Sequence, residues 1–293
     1  MSREISHNVR RNYAFVIAAG ICFGTTGTTQ ALGPDAISSL SIGSARLILG
    51  ALFLFLYIKL TRTISAPVPK LSMWLSAIGI LAYQLTFFSA VKQTGVAIGT
   101  VTALGSVPAL TGLLDYLIYK ERPSKRWFVA TVVTTAGIII LGTANGVAGF
   151  DLGGFILAII AGGSFGLLAV SSKRALIQGV DSTFAMYKVF SLAALLSLPI
   201  LLLTDLQWLV TADGAAMIIW LALIPTALAY ILYAKGLKGI KPGVASTLIL
   251  AEPATATILA ALLLNEVITL QGWIGIATVA FGLAYLSRES SVV

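Results

Sequence analysis

The chain has 293 residues, of which 58% are hydrophobic and 10% are charged, and its mean hydropathy is +0.96. Soluble domains carry about 25% charged residues, so this composition excludes an ordinary water-soluble fold and indicates an integral membrane protein. The formal net charge is +8. Because the basic residues lie in short connections between apolar segments, the charge does not predict a nucleic-acid partner.

Apolar windows of about 20 residues, the length that crosses ~30 Å of hydrocarbon as a helix, recur along the whole chain. They predict an all-α integral membrane protein with ten transmembrane helices. The connections are short, and none is long or polar enough to form a second domain. The predicted spans are 13–31, 36–60, 71–92, 95–119, 126–144, 152–174, 183–203, 213–236, 243–264 and 269–287.

Lysine and arginine are distributed unevenly between the two sets of loops. Connections on the side of the N-terminus carry most of them, including Arg10, Arg62 and Lys120, whereas the opposite connections carry Lys92 alone. The positive-inside rule therefore predicts a multi-pass protein of the cell (plasma or inner) membrane with both termini in the cytoplasm. The arginines before the first span are interpreted as flanking a retained helix and not a signal peptide.

The second half of the chain repeats the pattern of the first, which predicts two five-helix repeats, 13–144 and 152–287. Because each half has an odd number of spans, the second must enter the membrane inverted. Inverted repeats of this kind are typical of secondary transporters, although channels also contain them. The residues that match at one common shift are Thr102 and Thr247, Pro108 and Pro253, Glu121 and Glu266, and Gly137 and Gly282.

Each half of the chain carries a set of residues that is similar to a known family repeat. In the second half the set is Ala229 to Tyr233, Glu252-Pro253, Asn265-Glu266 and Gly282. The first half has a weaker copy, Ser89-Ala90, Pro108, Lys120 to Arg122 and Gly137. They resemble the EamA-type repeat of the drug/metabolite transporter superfamily. The resemblance implies a ten-helix carrier with a central cavity and cytoplasmic ends. It leaves the substrate open among amino acids, nucleotide sugars, cationic drugs and other metabolites.

Glu252 lies near the middle of an otherwise uncharged apolar stretch, Gly243 to Leu264. A carboxylate at that depth costs free energy unless a partner, a water-filled cavity or a proton compensates it. Two interpretations stay open. Glu252 binds a proton or a cation in the transport path, or it is a structural group held by Arg46 or Lys188.

Three other charged residues lie inside predicted spans. Arg46 is too deep to reach the interface, so we expect it to pair with a carboxylate or with an anionic group of a substrate. Lys188 lies nearer a helix end, from which its ammonium can reach water. Asp115 lies close to the cytoplasmic end of its span, and an ion pair with Lys120 or Arg122 at a gate or helix end is expected there.

Prolines and small residues predict local features of the helices. Pro253 removes a backbone donor, so a kink is expected beside Glu252, and Pro108 predicts a similar kink in the fourth span. These two positions are candidates for the cavity wall or for flex points of gating. Gly20-x-x-x-Gly24, Gly162-x-x-x-Gly166 and Gly95-x-x-x-Gly99 predict close helix contacts within the monomer.

Polar and aromatic side chains on otherwise apolar spans are the candidates for a substrate cavity. Some share a helix face because they are four residues apart, as Tyr83 and Phe87 do, and Thr226 and Tyr230. We expect fewer than half of them to contact substrate, since others serve helix contacts. Besides Glu252, the candidates are Thr25, Thr26, Tyr83, Gln84, Phe87, Thr102, Ser106, Trp220, Thr226, Tyr230 and Thr247.

No Walker motif, dinucleotide loop or paired metal ligands are found in the sequence, so no cofactor and no metal are predicted. The Gly162 to Gly166 segment matches a nucleophile elbow, but the single histidine, His7, lies in the polar N-terminal tail. An enzyme is therefore the weakest alternative, and energy is expected to come from a gradient.

The sequence predicts a secondary transporter that exports small metabolites such as amino acids or their derivatives, either facilitated or coupled to protons. Its partners are the lipid bilayer and a small-molecule substrate, and the choice between monomer and homodimer stays open. One alternative is an exporter of cationic amphiphiles with Glu252 as counter-ion. An alternative of another class is a channel or a non-transporting membrane protein.

Overall fold

The computed structural model describes residues 2–34, 37–64, 66–120, 122–144 and 151–288. Glu121, one of the repeat-matched residues, lies outside these ranges. Within them the chain is helical and contains no strand. The helices are α1 Ser2–Ala31, α2 Ser39–Thr61, α3 Lys70–Tyr119, α4 Lys125–Gly142, α5 Leu152–Ile177, α6 Ser182–Leu202, α7 Ala212–Ala222, α8 Ala229–Lys238, α9 Pro242–Leu248, α10 Ala251–Leu263 and α11 Leu270–Ser287, with a 3₁₀ turn at Gln207–Val210 and a π-helical segment at Leu223–Leu228.

These elements form ten spans, which confirms the predicted fold class. In the described part of the chain, nine stretches are long and apolar enough to cross a membrane. Helix α3 supplies two of them, α7 and α8 form one, and α9 and α10 form another. Helix α1 is the tenth span. It is less apolar because its last turns carry threonines and Gln30, some of which line an internal cavity.

The turn between the two spans of α3 is made at Gly95, whose backbone has φ 81° and ψ 162°. Glycine adopts a positive φ at little cost because it has no Cβ. A Cβ built on Gly99 would lie 2.8 Å from the Cα of Val91, so the two spans touch directly after the turn. The Gly95-x-x-x-Gly99 motif therefore joins neighbouring spans through a reversal and is not a straight helix-packing motif.

The helix break in the second half lies one turn before Pro253. Helix α9 ends at Leu248 and α10 begins at Ala251. Because Pro253 has no N–H, the carbonyl of Ile249 accepts instead from the N–H of Glu252 at 2.8 Å, and the proline lies in the first turn of α10, where no donor is required. Pro108 lies inside α3, where the backbone angles stay helical, and the kink predicted at this position stays a prediction.

Helices of the first half of the chain pack on helices of the second half. Helix α1 contacts α8 and α10, α5 contacts α3, α2 contacts α6, and α4 contacts α11. The contacts are close because two glycines have no side chain: a Cβ on Gly20 would lie 3.0 Å from the carbonyl oxygen of Ile249, and a Cβ on Gly162 would lie 3.0 Å from that of Ala103. The two helical motifs thus pack within the monomer, as the sequence predicts.

Replacing Gly24 by alanine is expected to destabilise the protein, because the new Cβ would lie 2.7 Å from the Cβ of Thr255 and 2.8 Å from the carbonyl oxygen of Glu252. Overpacking of this kind costs about 1–3 kcal/mol. Gly27→Ala is the matched control, since its Cβ meets nothing within 4 Å and both changes gain the same helix propensity. Thermal unfolding in detergent should show a lower midpoint for Gly24→Ala alone. Equal midpoints would contradict the close packing of α1 on α10.

Candidate substrate-binding cavity

The described residues enclose a cavity of about 680 Å³ between the two halves. Its volume is in the range of ~300–1,000 Å³ that is typical of small-molecule sites. Its rim is formed by exposed residues, including Ala31, Ser39, Val267 and Thr269. These residues lie where α1 ends and where α2 and α11 begin, and we call this end of the bundle the mouth face.

Five aromatic rings close the inner end of the cavity, and we call them the aromatic floor: Phe23, Tyr83, Phe165, Phe190 and Tyr230. The ring of Tyr230 meets Phe23 edge-on at 4.9 Å and Phe190 at 4.7 Å between centroids. Tyr83 meets Phe165 in the same way at 5.6 Å. Edge-to-face rings attract one another and pack tightly. The cavity therefore opens at the mouth face and ends at the floor.

On the far side of the floor, a buried lysine ties two helices together. The Nζ of Lys173, which is 5% exposed, donates to the carbonyl oxygens of Leu237, Lys238 and Ile240 at 3.1, 3.1 and 3.0 Å. The first two carbonyls belong to the end of α8, where an α-helix leaves its last acceptors without partners, and the third lies two residues after the helix. Sequence reasoning missed this role of Lys173, because backbone acceptors leave no charge pattern in the sequence.

Arg46, on α2, is buried in the cavity wall and is bound by neutral groups. Its Nε donates to Oγ1 of Thr226 at 3.1 Å, and its Nη2 donates to the carbonyl oxygen of Pro225 at 3.2 Å. Both acceptors belong to the π-helical segment. The segment has a local cause: Pro225 has no N–H to bond the carbonyl of Leu221, and the Thr226 hydroxyl donates to that carbonyl instead at 2.8 Å. Sequence reasoning missed Pro225.

Glu252 lies half-buried in the same wall. Among the described residues, no ion pair joins its carboxylate to Arg46, although the two charges are close enough to interact through space. Lys188 does not serve as a partner either. Its Nζ lies over the rings of Phe184 and Tyr187, 5.4 and 5.3 Å from their centroids, and it does not line the cavity. Neither of the two ion pairs predicted for Glu252, with Arg46 or with Lys188, is therefore formed in this structure.

Other sequence-predicted residues divide into two groups. The structure brings nine candidates together in the cavity wall: Thr26, Arg46, Tyr83, Gln84, Phe87, Thr226, Tyr230, Glu252 and Pro253. It places eight elsewhere in this conformation: Thr25, Thr102, Ser106, Pro108, Asp115, Lys188, Trp220 and Thr247. For the second group a role in the cavity, in gating or in coupling stays a prediction.

Helix contacts explain several of these differences. Thr247 is fully buried and shares a hydrogen bond with Thr131 at 2.9 Å between hydroxyl oxygens. Thr25 donates to the carbonyl of its own helix at Cys22 and accepts from the ring nitrogen of Trp220. Ser106 bonds Ala103 within α3. Each hydroxyl is thus satisfied in or between helices, which is the other common use of polar groups in membrane spans.

Comparison with known proteins identifies the family. The sequence model of the EamA-like transporter family matches residues 10–143 and matches again over residues 152–288. The chain belongs to this family. It is 37% identical over 278 residues to the uncharacterized transporter YwfM of Bacillus subtilis, with 93% of this chain and 92% of that protein covered.

Two more distant relatives also match. The uncharacterized inner membrane transporter YicL of Salmonella typhimurium is 26% identical, covering 73% of this chain and 72% of that protein. Protein PecM of Dickeya dadantii is 29% identical, covering 63% and 62%. A solved crystal structure superposes with a TM-score of 0.78 at 20% identity, covering 94% of this chain and 95% of that chain, which shows the fold alone. The protein is therefore a multi-pass membrane transporter of the drug/metabolite transporter type.

Because the cavity opens at one face only, a reagent that cannot cross the membrane should reach its wall from that face alone. In a Cys22→Ser background, Ala256→Cys in the cavity wall should react with a membrane-impermeant thiosulfonate from the mouth face only. Ala193→Cys is the control, because Ala193 is fully buried in the core and should not react. Labelling rates in right-side-out and inside-out vesicles give the measurement. Equal labelling of Ala256→Cys from both sides would contradict a closed floor.

Proposed function

We propose that this transporter exports small zwitterionic metabolites, with amino acids and their derivatives as the leading class. One observation carries the proposal: Arg46 and Glu252 have opposite charges, line the same cavity and do not pair directly. A zwitterion matches this arrangement, with its carboxylate toward Arg46 and its ammonium toward Glu252.

The hydrogen-bond capacity of Arg46 supports this orientation. A guanidinium has five N–H donors, arranged to hold a carboxylate by two parallel bonds. In the described part of the chain, Arg46 gives one bond from Nε and one from Nη2 to protein acceptors. Donors on Nη1 and Nη2 are left for a carboxylate in the cavity.

The rest of the wall suits a partly apolar side chain. Rings of the aromatic floor offer apolar surface at the inner end, while Thr26 and Gln84 offer a hydroxyl and an amide group in the same wall. Small-molecule sites typically combine an apolar lining with a few oriented polar groups. The combination favours amino acids with apolar or aromatic side chains over sugars, which need many hydrogen bonds.

The shape of the cavity supports a carrier and not a channel. It opens at one face and ends at packed rings, whereas a channel needs a continuous path. With both termini cytoplasmic, as the charge distribution predicts, the mouth face is outside and the structure corresponds to an outward-open state. Two inverted halves can exchange conformations around the site. Glu252, whose carboxylate forms no ion pair with any described residue, is the group we propose to bind a proton when the substrate leaves.

Cationic amphiphiles are the second candidate. Glu252 beside the rings of the aromatic floor is an arrangement that attracts organic cations. Arg46 opposes them, because its positive charge lies in the same wall. Transport of tetraphenylphosphonium that exceeds transport of every zwitterion tested would favour this candidate.

Purified protein in proteoliposomes tests the proposal. Phenylalanine and leucine should be transported, whereas their methyl esters, which lack the carboxylate, and their N-acetyl derivatives, which lack the ammonium, should each lose about tenfold or more in kcat/KM, equivalent to ~1.4 kcal/mol. Esters and zwitterions that are transported equally well would contradict a role for Arg46 in substrate binding.

Glu252→Gln should lower zwitterion transport and abolish its dependence on pH, because the amide cannot take up or release a proton. Glu266→Gln is the control, since it removes a carboxylate from the exposed rim of the same cavity. Rates measured over a range of pH in proteoliposomes decide the question. A folded Glu252→Gln protein with undiminished, still pH-dependent transport would end the coupling role.

A further inference from the structure

The π-helical segment Leu223–Leu228 supplies both protein acceptors of the Arg46 guanidinium. We infer that Thr226 and Pro225 act as a spacer that holds the Arg46 guanidinium away from Glu252 and so keeps both charges available to a substrate. Thr226 is then a positioning residue. The consequence for transport rests on the proposed function, but the spacer itself is a property of the protein alone.

The Thr226 hydroxyl is fixed as an acceptor for Arg46. A hydroxyl has one proton, and Thr226 gives it to the carbonyl oxygen of Leu221 at 2.8 Å. The lone pairs of the oxygen therefore remain for the Nε of Arg46 at 3.1 Å. Thr226 is 1% exposed, so bulk water does not compete. Because Pro225 leaves the Leu221 carbonyl without its helical donor, the proline is the reason that the hydroxyl points this way.

The methyl group of Thr226 contacts the same helix as its hydroxyl. A Cβ built on Gly50, one turn after Arg46 on α2, would lie 2.5 Å from Cγ2 of Thr226 and 3.3 Å from its Cβ. Helix α2 therefore lies directly against Thr226, and the two branches of the side chain set its distance and the direction of Arg46. The branches can be removed separately, since serine keeps the hydroxyl and valine keeps the methyl.

Neutral acceptors suit a spacer because they satisfy donors without cancelling charge. The carbonyl of Pro225 and the hydroxyl of Thr226 hold the guanidinium on the side of α7 and α8, while Glu252 lies on α10. If these acceptors are lost, the strongest acceptor near Arg46 is the Glu252 carboxylate, because opposite charges attract strongly in a low-dielectric site. A direct pair would occupy both halves of the proposed substrate site.

Carbodiimide labelling tests the spacer without any substrate. Dicyclohexylcarbodiimide reacts with carboxyl groups in apolar surroundings, and its reaction at Glu252 is read on the peptide by mass spectrometry. Glu252 in the wild type should react. Thr226→Val should reduce the labelling several-fold because Arg46 then pairs with Glu252, and Thr226→Ser should label as the wild type does. Unchanged labelling in folded Thr226→Val would overturn the inference.

Transport measured on the same variants separates the two claims. Thr226→Val should raise the KM for a zwitterion by about tenfold or more, because the substrate loses its hydrogen bond to Arg46 when Arg46 pairs with Glu252. Thr226→Ser should keep the wild-type KM. Reduced labelling together with a wild type that transports no zwitterion would support the spacer and refute the proposed function. If Thr226→Val does not fold, Pro225→Ala is used in its place. The alanine N–H can bond the Leu221 carbonyl, so the π-helical segment that holds Arg46 is lost and labelling of Glu252 should fall. Labelling of Pro225→Ala at the wild-type level would also overturn the inference.

Discussion

The hydrogen bonds from Arg46 to Thr226 and Pro225 are the interaction on which the rest of the site depends. A buried cation must be hydrogen-bonded, and a direct ion pair with Glu252 would be the simplest solution for the protein alone. Here the donors are satisfied by groups that carry no charge. The cavity consequently keeps a positive and a negative group in one wall, which is an arrangement that a ligand with two charges can complete.

Three features of the backbone give these side chains their positions. Pro225 produces the π-helical segment that receives Arg46, and Pro253 ends one helix and begins another beside Glu252. Gly20 and Gly24 let α1 approach that second break closely. The site is thus built where helices are interrupted, as in other transporters whose discontinuous helices form the binding site.

Sequence reasoning predicts the fold better than it predicts the site. Length and hydropathy define the spans because the hydrocarbon thickness fixes a helix length, and the repeats follow from matched residues. An apolar helix carries little sign of which face points inward, so the hydroxyl of Thr247, which bonds Thr131, cannot be distinguished from that of Thr226, which lines the cavity. The partners of Arg46 and Lys173 are mostly backbone carbonyls, and every residue has one.

A crystal structure with a bound zwitterion tests the central claim most directly. Phenylalanine soaked into crystals of the wild-type protein should lie in the cavity with its carboxylate within hydrogen-bonding distance of the Arg46 guanidinium, its ammonium toward Glu252 and its ring against the aromatic floor. A ligand bound elsewhere, or bound in the cavity with its carboxylate away from Arg46, would contradict the account.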